Sequence, residues 1–206
     1  MAFLGHIISA KGVETDPEKV TQIKNLPRPK EGLRLGARKI PFVTQIKQFL
    51  GICSYYRKFI LKFAVTAEPL QVYTRDGADL TWTPEAELAF NRLKECLVTS
   101  PILVYPQRGK RYYIDTDACN FAMGAVLSQL DENGKEHPII YMSKTFSGAE
   151  RNYCIWRKEF ISCVKALKAF EPYIIGQDVI LRTDNIAVTR MMKMEQLSPQ
   201  SANLVA

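Results

Sequence analysis

Three carboxylates stand where the flanking patterns predict buried secondary structure, and they constrain the fold more than any other feature. Asp117 ends a run of strand-forming residues, 111–117. Glu159 lies at the flank of the apolar stripe of a predicted helix, and Asp184 ends a second strand-like run, 178–184. Carboxylates that converge repel one another and need a cation between them. The sequence therefore predicts a divalent-metal site, for which phosphate-ester chemistry is the natural use.

Each acid also has an ordinary structural interpretation. Period two places Asp115 on the same strand face as Asp117, so either acid can be the ligand. Glu159 is either a boundary residue that reaches solvent or a member of a site. Asp184 can cap a helix that begins near Asn185, a role that does not exclude metal binding.

The second half of the chain has the pattern of an α/β fold. Strands are predicted at 111–117, 122–129, 138–143 and 179–183, a helix at 155–170, and a last helix from Asn185 that includes Met191, Met192 and Met194 as core residues. The Asn133-Gly134 turn joins the second and third strands. A crossover through the long helix places the fourth strand parallel to the first. Trp156 is expected in the buried stripe of that helix and Lys158 on its far side.

The first part is predicted to be mainly helical. A strand at 3–8 leads to a helix that Asp16 and Pro17 begin. A basic loop follows at 30–41, then a helix at about 43–59. Thr83 caps a further helix, whose buried face is formed by Leu88, Leu93 and Leu97.

Basic residues are concentrated in the first part. From Lys19 to Lys62 there are 11 Lys and Arg against one acid, a balance of 11 − 1 = +10, whereas residues 111–206 hold 11 of each. Such a segment either grips a polyanion or forms a solvated surface. Tyr55, Arg57, Lys58 and Lys62 are the candidate nucleic-acid-binding residues, and Tyr56 is expected to pack inside.

The remaining composition excludes several classes of protein. Five cysteines without C-x-x-C spacing and only two histidines argue against a zinc site. Free thiols favour a reducing compartment, the cytoplasm or the nucleus, and the apolar start is too short for a signal peptide. We expect no membrane partner.

Motifs in this order resemble the Pol polyprotein of gypsy-type long-terminal-repeat retrotransposons. The chain is similar to the end of the reverse-transcriptase palm, the thumb and the connection at 1–110, followed by a ribonuclease H-like domain at 111–206. The resemblance covers nearly the whole chain through the motifs FLGHIIS (3–9), DPEKVTQIKNLPRP (16–29), QFLGICSYYRKFI (48–60), LTWTPEAELAF (80–90), DTDACNFAMGAVLSQ (115–129), GKEHPIIYMSKTFSGAERNY (134–153), KEFISCVKALKAFEPYI (158–174) and RTDN (182–185).

The resemblance implies a site and an activity. The family's catalytic acids map to Asp117, Glu159 and Asp184, which favours Asp117 over Asp115. In the family these acids hold two Mg²⁺ ions, with Mn²⁺ as a substitute, across the scissile phosphate of the RNA strand in an RNA–DNA hybrid. The implied function is metal-dependent endonucleolytic cleavage by a ribonuclease H.

The resemblance also implies limits and partners. The family's palm aspartates lie upstream of the segments present, so we expect no polymerase activity. Its last strand, final helix and fourth metal-binding Asp lie beyond Ala206, so the ribonuclease H-like fold is expected to be truncated at its C-terminus. Expected partners are an RNA–DNA hybrid or other nucleic acid and the rest of Pol, including the polymerase fingers and palm and the integrase. The alternative function is that of a non-catalytic remnant that binds nucleic acid or a partner.

Overall fold

Three short strands open the chain, where the sequence predicted one. β1 (Ala2–Phe3), β2 (His6–Ser9) and β3 (Gly12–Thr15) form an antiparallel sheet in that order. The predicted strand at 3–8 is wrong because Leu4 and Gly5 have φ angles of +46° and +73° and turn the chain between β1 and β2. Gly5 carried that signal, since glycine adopts positive φ at little cost.

The computed structural model describes residues 1–35 and 38–192. Its contacts divide the chain into two units, Met1–Leu103 and a second unit that begins at Val104. Each unit has its own secondary structure and its own core.

Helices form most of the first unit. They are α1 (Pro17–Lys24), α2 (Phe42–Tyr55), α3 (Phe63–Gln71) and α4 (Pro84–Val98), with the strand pair β4 (Arg34–Leu35) and β5 (Arg38–Lys39) between α1 and α2. The predicted caps of α1 and α4 are confirmed: Asp16 accepts from the Glu18 amide at 2.9 Å and Thr83 from the Ala86 amide at 3.2 Å.

Two helical predictions for this unit are wrong. The helix predicted at 43–59 ends at Tyr55, and the separate helix α3 begins after Lys62, whose φ of +56° reverses the chain. Leu88 was expected in the buried face of α4 but is 71% exposed. Ala86, Ala89 and Phe90 fill that face instead, because they share a helical stripe with Leu93 and Leu97.

A mixed four-stranded sheet organises the second unit. Its strands and helices are β6 (Tyr112–Ala118), β7 (Ala122–Leu130), β8 (Glu136–Thr145), α5 (Gly148–Arg151), α6 (Ile155–Ile174), β9 (Val179–Thr183) and α7 (Ile186–Met192). The strand order is β8-β7-β6-β9, with β9 parallel to β6 and the other pairs antiparallel. The predicted mixed α/β fold and the parallel fourth strand are confirmed.

Helix α6 packs on one face of this sheet. Its Ala166 and Phe170 lie in one core with Tyr112, Ile114 and Leu127. The helix continues past its predicted end at Phe170 to Ile174, with Pro172 in its last turn.

Two side chains of α6 depart from the prediction. Trp156 was expected inside but is 40% exposed, and Lys158 was expected outside but is 5% exposed. Both lie near the start of α6. There the apolar stripe extrapolated from the helical period does not coincide with the side of the helix that is buried. The predicted core role of Met191, Met192 and Met194 concerns side chains outside those that the structure describes.

No helix of the described residues combines the length and the apolar character that crossing a bilayer requires.

Candidate metal and nucleic-acid site

Strand β6 carries the first candidate acid on its outer face. Tyr112, Ile114 and Thr116 are buried, and the alternating residues Tyr113 and Asp115 are partly exposed. Asp117 follows Asp115 in that alternation, is partly exposed and pairs with Gly124 of β7 in the strand register. The period-two alternation predicted from the sequence therefore agrees with the alternation of buried and partly exposed residues along β6.

Strand β9 brings the second aspartate to the same end of the sheet. Thr116 of β6 pairs with Thr183 of β9 in the parallel register. The residues that follow them are Asp117 and Asp184. Neighbouring strands lie about 4.8 Å apart, so the two backbones are adjacent at this point. Asp184 is exposed. Parallel strands start and end together, which is why two acids far apart in sequence meet at one sheet end.

The capping interpretation of Asp184 is wrong, because the next residue makes the cap. Asn185 Oδ1 accepts hydrogen bonds from the backbone amides of Ala187 at 3.0 Å and Val188 at 3.2 Å. These are the free amides of the first turn of α7. The carboxylate of Asp184 is therefore not used in capping this helix.

Glu159 is buried and fixed to the end of β6. Its side chain is 4% exposed, so the interpretation as a boundary residue that reaches solvent is wrong. Its Oε1 accepts a hydrogen bond from the Ala118 amide at 3.2 Å. One turn further along α6, Cys163 Sγ contacts Thr116 Oγ1 at 3.3 Å. Two contacts thus tie α6 to the residues on either side of Asp117.

Burial also affects the chemistry of this helix. Burial raises the pKa of the Cys163 thiol, and the hydrogen bond with Thr116 opposes that rise without cancelling it. Cys163 is therefore a neutral thiol at neutral pH, not a thiolate ligand.

The three candidate acids do not form a ready ion site among the described residues. Within residues 1–35 and 38–192, no three His, Cys, Asp or Glu side chains form a group that could hold one ion as they stand. The donor chemistry nevertheless fits a hard divalent cation, since all three candidates are carboxylates and Mg²⁺ prefers oxygen ligands. Asp117, Glu159 and Asp184 remain the candidate ligands at this end of the sheet.

Asp115 has a different partner, which the sequence did not indicate. Arg182 of β9 donates from Nε to Asp115 Oδ1 at 2.6 Å and from Nη2 to the other carboxylate oxygen. The same Nη2 donates to Glu136 Oε1 at 2.6 Å. The hydrogen bonds that Arg182 donates to both carboxylates raise its pKa. The parallel register that pairs Asp115 with Arg182 is the signal that could have revealed this contact.

The candidate nucleic-acid-binding residues lie in the first unit. Arg57 and Lys58 form a short 3₁₀ turn after α2 and are exposed, as is Lys62. Tyr55 is 52% exposed and its hydroxyl donates to the Leu4 carbonyl. Tyr56 is buried and donates to the Gly5 carbonyl at 2.9 Å, so its predicted packing role is confirmed.

A cavity in the first unit was not predicted. It measures about 770 Å³ and lies between α1 and α2, with Ile23, Leu26, Phe49 and Ile52 among its lining residues. Sequence patterns place these residues on helix faces but do not show where two faces leave a gap.

Comparison with known proteins defines the class of this protein. A family model described as "RNase H-like domain found in reverse transcriptase" matches residues 82–181. Solved structures show a similar architecture. A foamy viral protease-reverse transcriptase in complex with an RNA/DNA hybrid superposes with a TM-score of 0.71 at 19% identity. The match covers 100% of this chain and 27% of that chain. A foamy viral protease-reverse transcriptase dRH in complex with double-stranded DNA gives 0.72 at 19% identity, over 100% and 35%. At this identity the likeness shows the fold alone.

The chain therefore carries an RNase H-like domain of reverse transcriptases, and its homologues are Ty3/gypsy-type retrotransposon Pol polyproteins. The Pol polyprotein from transposon opus of Drosophila melanogaster is 36% identical over 91% of this chain and 19% of its own length. That from transposon 297 of the same organism is 36% identical over 89% and 16%. The transposon Tf2-3 polyprotein of Schizosaccharomyces pombe is 34% identical over 84% and 12%. The chain spans a fifth or less of these relatives, and the predicted family is confirmed.

Proposed function

We propose that the second unit is a ribonuclease H-type endonuclease of a retroelement reverse transcriptase, which cleaves the RNA strand of RNA–DNA hybrids. The observation that carries this proposal is the shared sheet end. Asp117 and Asp184 follow paired residues of parallel strands, and Glu159 is held by the amide next to Asp117. Acids that converge in this way are typical of divalent-metal sites.

The proposed chemistry needs carboxylates and no protein nucleophile. Asp117, Glu159 and Asp184 would hold two divalent ions, Mg²⁺ or Mn²⁺, which when bound would lower the pKa of a water and stabilise the leaving 3′ oxygen. Asp117 and Asp184 supply hard oxygen ligands from the two strand ends. The Ala118 amide orients the Glu159 carboxylate toward the same end. Discrimination between RNA and DNA rests on hybrid shape and on the 2′-hydroxyl.

The first unit supplies the proposed grip on nucleic acid. We assign residues 1–110 to the end of the palm, the thumb and the connection, and residues 111–206 to the ribonuclease H domain. Arg57, Lys58 and Lys62 neutralise backbone phosphates and Tyr55 offers a stacking surface. Their exposure and the excess of basic residues between Lys19 and Lys62 support this role. The rest of Pol is the proposed protein partner, as the relatives are polyproteins.

A second candidate is nucleic-acid binding without cleavage. Its supporting observation is that the acids of the described segments do not gather into a ready group of three around one point. The two candidates differ in what the chain does to a bound hybrid, not in whether it binds.

A labelled RNA–DNA hybrid separates these candidates. With Mg²⁺ we expect endonucleolytic cuts in the RNA strand, none in the DNA strand, and none after chelation. Asp117→Asn removes a ligand and is expected to abolish cleavage. Asp178→Asn is the matched control, because Asp178 flanks the opposite end of β9 and pairs with Arg111 at 2.6 Å. Salt-sensitive binding without any cut in the unmodified protein would select the second candidate.

A further inference from the structure

Arg182 connects three strands on the outer face of the sheet. Its guanidinium forms a fork with Asp115 of β6 and also contacts Glu136 at the start of β8. Its Cζ lies 4.9 Å from the ring centroid of Tyr113. Glu136 is held further by the hydroxyl of Ser128 in β7. The guanidinium therefore lies between two carboxylates from strands that are not neighbours.

This contact is next to the candidate metal ligands. Asp115 precedes Asp117 by two residues on the same strand face, and Arg182 precedes Asp184 by two residues. Residues two apart on a strand are about 7 Å apart, well within the range at which carboxylates compete for one cation. Asp115 and Glu136 offer the same oxygen chemistry as Asp117 and Asp184.

The Arg182 guanidinium lies where a metal ion held by Asp115 and Glu136 would lie. One nitrogen, Nη2, contacts an oxygen of each carboxylate, so both oxygens face the same point. Without the guanidinium, two uncompensated carboxylates would face each other and attract a divalent ion. Arginine suits this place because its fork keeps its charge and binds two acceptors in a fixed geometry.

We propose that Arg182 is a positioning residue that withholds Asp115 and Glu136 from divalent cations, and thereby directs the cation to Asp117 and Asp184. The choice of Asp117 as ligand rests on the proposed function. The occupation of the Asp115–Glu136 position by Arg182 does not, because it follows from contacts among described residues. In this proposal Asp115 has a structural role as the partner of Arg182, and Asp117 is the metal ligand of β6.

Calorimetric titration of the full chain with Mn²⁺, without nucleic acid, tests this inference. Asp117→Asn is introduced first, to remove binding at the proposed site. Adding Arg182→Gln is expected to restore Mn²⁺ binding about tenfold tighter than that of Asp117→Asn alone, because two carboxylates lose their internal counter-ion. Adding Asp115→Asn to that double variant is expected to remove the binding again. Far-UV circular dichroism confirms the fold of each variant, and Arg182→Met replaces Arg182→Gln if the latter does not fold.

Arg182→Lys in the Asp117→Asn background is the matched control. Lysine retains the charge between the carboxylates, so no new Mn²⁺ binding is expected. Equal gains from Lys and Gln, or no gain from either Gln or Met, would overturn the inference. Failure of the unmodified chain to bind Mn²⁺ would instead count against the proposed function, and the comparison between Asp117→Asn and its Arg182 variants would still decide the present inference.

Discussion

The two units of this protein differ in how their basic residues are balanced by acids. Between Lys19 and Lys62 in the first unit, 11 basic residues stand against one acid, and Arg57 and Lys58 are exposed without an ion pair to a carboxylate of the described residues. Residues 111–206 hold 11 basic and 11 acidic residues, some of which pair, as Arg111 does with Asp178 and Lys165 with Glu150. The first unit also contains ion pairs, such as that of Arg75 with Glu68. An exposed basic residue without an acidic partner is available to an external phosphate.

The acids of the second unit also differ from one another. Asp115 forms an ion pair with Arg182, while Asp117 and Asp184 lie at the strand ends beyond that pair. Net charge alone therefore does not locate function. The position of an acid along its strand and the partner that the strand register gives it are more informative.

The largest expected effect comes from removing one charge of the second unit without changing its shape. Glu159→Gln keeps an oxygen to accept from the Ala118 amide but loses the negative charge. We expect hybrid cleavage to fall about 1,000-fold, roughly 4 kcal/mol of transition-state stabilisation. Binding of the hybrid, measured by fluorescence anisotropy, is expected to stay within about twofold, since the proposed nucleic-acid-binding residues belong to the first unit.

Glu171→Gln is the control for that change. Glu171 lies on the same helix but is exposed near its other end. Its replacement should leave cleavage unaltered. Equal losses in both variants would mean that helix charge in general, not Glu159, supports the reaction.

The next effect is expected in the first unit. Replacing Arg57, Lys58 and Lys62 together with Gln should weaken hybrid binding about 10- to 100-fold at moderate salt, because up to three phosphate contacts are lost. The slope of log affinity against log salt should decrease by about 2 to 3. Cleavage at saturating hybrid should be unchanged.

Lys11→Gln serves as the control for the basic triple variant. Lys11 is exposed but lies before the segment with the charge excess. A salt slope that stays the same in the triple variant would remove these three residues from the interface, whatever happens to affinity.

Local signals predicted the helix caps of the first unit and the strands of the second. The caps Asp16 and Thr83 act on amides two or three residues away, so their effect can be read from adjacent sequence. The alternation that forms β6 is equally local. The start of α3 was missed, because it depends on Lys62 adopting a left-handed conformation that its residue type does not favour.

The choice between Asp115 and Asp117 and the burial of Glu159 depend on contacts between residues far apart in sequence, so local patterns could not predict them. Asp115 and Asp117 look alike in the strand pattern, and only the register with β9 shows that Arg182 binds the first. The burial of Glu159 likewise depends on where α6 crosses β6, which helical period alone does not fix. The resemblance to a family selected the three acids, and the strand register explains how two of them reach one sheet end.

A smaller effect compares neighbouring tyrosines in the first unit. Tyr56→Phe removes a buried hydroxyl that donates to the Gly5 carbonyl at 2.9 Å, and the free energy of unfolding should fall by about 1 kcal/mol. Tyr55→Phe removes a similar bond at an exposed position, where water can replace it, so its effect should be smaller. Urea denaturation measures both. A larger loss for Tyr55→Phe would contradict the assignment of Tyr56 to packing and Tyr55 to the surface.

The smallest expected effect is pH-dependent and concerns Glu136. The hydrogen bond from Arg182 holds the pKa of Glu136 below its ordinary value of 4.5. A carboxylate with a lowered pKa stabilises the fold fully above that ordinary value, and its contribution is lost as the pH falls through the lowered one.

The side chains of Arg182 and Glu136 are both more than a third exposed, so Glu136→Gln should lower the free energy of unfolding by only about 0.2–1 kcal/mol at pH 7. The difference from the unmodified protein should shrink as the pH falls through that lowered pKa, because Glu136 then becomes neutral as well. Glu132→Gln, which removes an exposed carboxylate at the neighbouring turn, is the control in the same urea titrations. A Glu136→Gln difference that persists unchanged in acid would show that packing, and not the charge of the Arg182 contact, stabilises this face of the sheet.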